Sequence, residues 1–144
     1  MKYTTHIDPK RDEEIVIYAH EYNDTVKKIE QLASEVSNEL IGFENKNTFR
    51  IIIPSDVDCF IVEGNKVYAL MGTSRLALKQ RLYAIDEMLD DGFVKINQSC
   101  IANIKKIDRF EVSFSGALSV IFKNGHKDYV SRRQLKKVKE RIGF

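Results

Sequence analysis

The amino-acid sequence predicts an α+β fold, mainly β, with short helices and a strand–helix segment ahead of the β body. Three observations carry that expectation. From residue 45 to residue 130, short apolar runs alternate with breaks bearing Gly, Pro, Asn or Asp, the texture of successive strands. Helical spacing of apolar side chains is confined to residues 24–40, 78–89 and 131–142. Finally, 144 residues with 43% hydrophobic and 31% charged side chains can bury one core of ordinary size without disulfides or metal. That composition excludes collagenous, low-complexity and wholly disordered chains.

Taken in order, Glu14–Ala19 reads as a short strand. Asn23 and Asp24 offer an N-cap, and Val26, Ile29, Leu32, Ala33, Val36 and Leu40 then form one apolar stripe, opposite Lys27, Lys28, Glu30 and Glu35. Gly42 reads as the stop of this helix. Residues 1–44 are therefore expected to form a strand–helix extension, and residues 45–144 the main domain.

Phe49–Ile53 is a strand closed by Pro54, which cannot donate to a ladder. Val57–Val62 and Lys66–Met71 follow, separated by a turn at Glu63-Gly64-Asn65, and Gly72-Thr73-Ser74 leads into Arg75–Leu78. Leu78, Leu82, Ile85 and Leu89 mark a short helix, ended by Asp90-Asp91-Gly92. Phe93–Ile96 and Cys100–Ala102 are strands flanking the polar break Asn97-Gln98-Ser99. Phe110–Phe114 and Leu118–Phe122 form a hairpin around Ser115-Gly116, and Asn124-Gly125 marks a second turn before Asp128–Val130. Ser131 and Gln134 have the spacing of a capping box opening a last helix, with Leu135, Val138 and Ile142 on its apolar face.

The net charge of +2 conceals an asymmetry. Residues 1–44 carry 5 basic and 10 acidic side chains, residues 45–92 carry 6 and 7, and residues 93–144 carry 12 and 4. A basic block within a foldable segment suits a polyanion. The last helix points the same way. Arg132 and Arg133 occupy its first turn, where the macrodipole disfavours cations by up to about 1 kcal/mol. Two arginines beside free backbone N–H groups make a phosphate-binding corner, and arginine can also read guanine bidentately.

Enzyme signatures are absent: there is no GxSxG, GxxxxGK[ST], GxGxxG or HExxH, and the chain is expected not to be an enzyme. His6, His20 and His126 are scattered without metal-ligand spacing, so neither a metal nor a cofactor is expected. Cys59 and Cys100 show no CxxC pattern and are expected to be small buried hydrophobes. No apolar run exceeds five residues and no signal-peptide core is present, so a soluble, cytoplasmic protein is expected.

Residues 93–107, FVKINQSCIANIKKI, resemble the central motif of LytTR-type DNA-binding domains. In those domains a strand ending in a basic residue and a polar break with Ser precede an apolar pair and an Asn. The segments Ser55–Asn65, Leu118–Gly125 and Val130–Lys137 are similar to the same family, in the same order, so the likeness covers about residues 46–142. It implies an elongated, mainly β fold that sets loops into successive major grooves of double-stranded promoter DNA.

By that likeness, Lys66, Gln98 and Arg133 occupy the base- and backbone-contacting positions, while Lys95, Asn97, Ser99, Ser131, Arg132 and Lys137 position the duplex through its phosphates. The family commonly has His or Arg where this chain has Asn97 and Gln98. The likeness further implies a bacterial transcriptional regulator of stand-alone type, without a receiver domain, binding paired repeats as a homodimer. Such proteins are similar to regulators controlled by a small membrane partner. The alternative is a protein-interaction or antagonist module that uses the same fold without sequence-specific reading.

Overall fold

The computed structural model describes residues 1–11, 14–37 and 40–144, with side chains throughout except at 34–37. The chain divides into two compact units, Met1–Asn38 and Glu39–Phe144.

In the first unit, helix α1 (Asp24–Ser37) begins where the sequence offers its cap. The Val26 amide donates to Asn23 Oδ1 at 3.0 Å, and the Lys27 amide to the Asn23 carbonyl at 3.0 Å. Of the apolar stripe, Val26 is buried, Ile29 and Ala33 are half-buried and Leu32 is exposed. The side chains of Glu35 and Val36, and residues 38–39 of the expected helix, lie outside the described residues. Leu40 is not helical; it opens the sheet of the second unit. The strand expected at Glu14–Ala19 does not form, and Ile15, Val16 and Tyr18 are exposed. A strand needs a neighbour for its backbone N–H and C=O groups, and none among the described residues pairs with this run.

In the second unit, β1 (Leu40–Phe43), β2 (Phe49–Ile52), β3 (Cys59–Glu63), β4 (Lys66–Met71), β5 (Ser74–Leu78), β6 (Phe93–Asn97) and β7 (Cys100–Asn103) form one antiparallel sheet. Its order is β2-β1-β5-β4-β3-β7-β6. Gly42 does not stop a helix; it lies within β1. A Cβ there would stand 2.7 Å from Leu76 Cβ and 2.6 Å from Ile52 Cδ1, so only glycine lets the strand lie this close. Helix α2 (Leu82–Met88) starts later than its apolar spacing suggests, because Leu78 completes β5.

Strands β8 (Ile107–Val112), β9 (Leu118–Phe122) and β10 (Lys127–Val130) form a second antiparallel sheet, ordered β10-β9-β8. Helix α3 (Arg132–Ile142) closes the chain, with Gly143 left-handed at φ 88° as its C-cap. The expected capping box is not made: no side-chain bond caps the helix at Ser131. The reciprocal arm of such a box needs the Ser131 backbone N–H, and that group donates to the Ile96 carbonyl at 2.9 Å.

Alternation along the large sheet sends side chains into two cores. Phe60, Ala69, Leu76 and Ile101 pack on one side with Leu82 and Ile85 of α2. Val94, Ile96 and Ala102 pack on the other with Val120 and Phe122 of the small sheet and Val138 of α3. Each fully buried Leu, Ile or Phe contributes roughly 1.5–3 kcal/mol. Cys59 and Cys100 are both wholly buried in the second core, as their isolation in the sequence predicts. Contact with the Cys59 thiol and burial push the Cys100 thiol well above its ordinary range, which keeps it neutral and unreactive.

Candidate nucleic-acid interface

Backbone register gathers three separated segments at one end of the large sheet. Gly64, at φ 62°, and Asn65 close the tight turn from β3 to β4, bringing Lys66 opposite Glu63. Beside it, the Val62 amide donates to the Ser99 carbonyl at 2.9 Å, fastening the β6–β7 turn that carries Gln98. On the other flank, the bond from Ser131 N–H to the Ile96 carbonyl sets the first turn of α3, with Arg132 and Arg133, against the end of β6. Segments centred on residues 66, 98 and 132 thus become neighbours through hydrogen bonds that hold their backbones.

Asn97 makes the junction rigid. It is 1% exposed, and every polar atom of its side chain is engaged. Nδ2 donates to Asp128 Oδ1 at 2.8 Å and to the Tyr129 carbonyl at 2.8 Å, while Oδ1 accepts from the Ser99 amide at 2.8 Å. One amide therefore shapes the Gln98 turn and ties it to the strand leading into α3. Its neighbours differ: Gln98 and Ser99 are exposed, and Lys95 and Ser131 are half-buried. Asn97 is not on the surface where its position in the polar break would place it.

Asp128 is the residue that spacing did not single out. Besides Asn97, its carboxylate accepts from the Tyr129 amide at 2.9 Å and faces His126 Nε2 at 3.4 Å. Burial pushes its pKa up, but the hydrogen bonds from His126, Tyr129, Asn97 and Cys100 outweigh that and hold it below the usual carboxylate range. In sequence it is one acid in a basic segment; its partner lies 31 residues away. The signal available was a lone acidic residue beside the Asn-Gly turn.

The cations at this end are uncommitted. Lys66, Arg132, Arg133 and Lys137 are exposed, and among the described residues none of them forms an ion pair, nor does Lys95. Lys137 lies one turn beyond Arg133, on the same helix face. By contrast, Arg141 at the far end of α3 donates to the carbonyls of Asp91 and Phe93, pinning the helix along β6. Basic side chains at the start of α3 face water, while one at its end holds the fold. This surface can bind phosphates, through Lys and Arg and the open N-terminus of α3, and can present an amide and a guanidinium to base edges.

The chain belongs to the LytTr DNA-binding domain family, whose profile matches residues 47–143. Two relatives from Staphylococcus aureus, strains MSSA476 and MW2, are each 33% identical over 147 aligned residues, covering 100% of this chain and 99% of theirs. Both carry the name uncharacterized HTH-type transcriptional regulator. The fold is also similar to the solved structure of a LytTr DNA-binding domain from Bacillus cereus, with a TM-score of 0.68 and 18% identity over 74% of this chain and 99% of that one. These comparisons agree with the mainly β architecture. Among the described residues no two helices follow one another without an intervening strand.

Proposed function

We propose that this chain is a sequence-specific transcriptional regulator that binds double-stranded DNA with the Lys66, Gln98 and Arg133 end of its second unit, acting in the bacterial cytoplasm. Lys66, Gln98 and Arg133 would enter major grooves. Lys95, Ser99, Ser131, Arg132 and Lys137 would hold the phosphates, and Asn97 would support the Gln98 turn from beneath. The observation that carries this proposal is the convergence, at one end of a LytTr domain, of three segments whose Lys66, Gln98, Arg132 and Arg133 side chains have no partner among the described residues. Phosphate contacts supply sequence-blind affinity, and base-edge contacts supply discrimination.

The test is an anisotropy titration against the protein's own upstream DNA, a shuffled duplex and duplexes selected from a random pool, across a salt series. A preference of about 10³-fold or more at physiological salt is expected for the selected site. Arg133→Ala should weaken that site by roughly 1–3 kcal/mol while leaving shuffled DNA much less affected. Equal weakening of both would remove Arg133 from base reading. Occupancy of paired repeats by two copies is part of the proposal, and sedimentation with one-repeat and two-repeat duplexes decides it.

A further inference from the structure

The face of the large sheet that bears Tyr68, across β1, β5 and β4, carries a shallow groove of about 620 Å³ that starts at Lys66. Register builds it: Phe43 pairs with Ala77, and Ala77 with Tyr68, so these three side chains form the floor. Val67 pairs with Leu78, which brings Lys66 and Lys79 side by side at one rim. Lys46, from the β1–β2 hairpin, lines the groove as well.

Two of the cations lie on rings. The Arg75 guanidinium stands 3.9 Å from the centre of the Tyr68 ring, and the Lys79 ammonium 4.9 Å from that of Phe43. A ring face attracts a cation without neutralising it, so the charge of Lys79 stays available to an incoming anion, whereas Arg75 is also paired with Glu63. Glu44, which also lines the groove, pairs with Arg50 at 2.9 Å, and Glu63 pairs with Arg75. Among the described residues Lys46, Lys66 and Lys79 have no ion pair. A strip of lysines with no acidic partners over an aromatic floor is complementary to a polyanion. It is too open to enclose a small molecule.

We infer that this groove is a second DNA contact, which takes the sugar-phosphate backbone of the duplex bound at the Lys66 end and extends the footprint along β4 and β5 to the β1–β2 hairpin. The inference rests on the DNA-binding function proposed above and adds Lys46 and Lys79 to it. Lysine acts there as a point charge and carries no base information.

The experiment compares wild type, Lys46→Gln/Lys79→Gln and Lys105→Gln/Lys123→Gln on selected and random duplexes across a salt series. The control pair loses equal charge from exposed positions at the opposite end of the β6–β7 hairpin, where Ile104 N–H meets the Gly92 carbonyl and Lys123 N–H the Lys106 carbonyl. For the groove variant, the slope of log K against log salt should shrink by about 1.8, from two phosphates at ~0.9 each. Affinity for selected and random duplexes should fall by the same factor, with the control slope unchanged. An unchanged slope in the groove variant, an equal change in the control, or a loss confined to the selected site would each overturn the inference. So would saturable ATP binding abolished by the groove variant without any change in slope. Arg133→Ala, run alongside, separates the two ideas: if it spares discrimination, base reading fails while the salt slope still reports on the groove.

Discussion

The two ends of the β6–β7 hairpin hold the same residue in nearly the same arrangement. Asn97 and Asn103 are 1% and 3% exposed, and each accepts on Oδ1 from the amide two residues on. Each also donates twice from Nδ2. Asn103 gives both bonds to backbone carbonyls, Ser55 at 3.2 Å and Val57 at 2.8 Å, closing the segment that leads into β3. Asn97 gives one to a carbonyl and one to the carboxylate of Asp128. The pattern of bonds is alike, but one acceptor and the surroundings are not. One amide joins two pieces of core, while the other joins the turn that carries the exposed Gln98 to the strand that leads into the exposed Arg132 and Arg133. A buried asparagine at such a turn is therefore read by what it ties together, rather than by its own bonds.

That contrast can be broken by substitution. Asn97→Ala and Asn103→Ala each leave buried acceptors unpaired, and each should destabilise the protein by about 2–3 kcal/mol in urea unfolding. Only Asn97→Ala should also lower discrimination between selected and shuffled duplexes, at a temperature where both variants remain folded. Equal loss of discrimination in both would dissolve the distinction.

A smaller effect follows from Asp128. Its folded pKa lies below the ordinary carboxylate value of about 3.9, so its stabilising contribution is fully present above that value. The contribution disappears as pH falls through the depressed folded pKa. Asp128→Asn should cost about 1 kcal/mol at pH 7, and its unfolding midpoint should begin to converge on that of wild type only below about pH 4, as pH falls toward the depressed folded pKa. A gap independent of pH would show that the charge of Asp128 does not matter to the junction.

Smaller still, Lys137→Ala should weaken every duplex a few-fold and lower the salt slope by about 0.9, the share of one phosphate. Loss restricted to the selected site would move Lys137 from phosphate contact to base contact. Native Cys59 and Cys100 should resist a thiol reagent until the protein is unfolded. Rapid labelling of the folded protein would contradict their burial and the raised pKa of Cys100.

Strand identity was legible wherever alternation and turn residues agreed, as in β4 and in the turns at Gly64-Asn65 and Asn124-Gly125. It failed at Glu14–Ala19, whose pattern fits a strand equally well but which finds no partner among the described residues. The helix start at Asn23 was legible because a cap is a local bond. The helix end was not, since Gly42 looks like a stop and serves as a packing glycine between Leu76 and Ile52. The capping box at Ser131 failed for a related reason: a distant carbonyl had already taken the backbone N–H that the motif requires.

Local bonds and side-chain periodicity are written along the chain, so the succession of strands from Phe49 onward, the start of α1, the basic tail and the family likeness could be read from one sequence. Partnership over distance is not written there. That Lys66, Gln98 and Arg133 share one end of a sheet depends on strand register and on single hydrogen bonds between Val62 and Ser99 and between Ser131 and Ile96. That Asn97 is interior while Gln98 is exposed depends on Asp128 and Tyr129, contributed from another sheet. Periodicity describes what a segment offers to its neighbours; folding determines which neighbour accepts it.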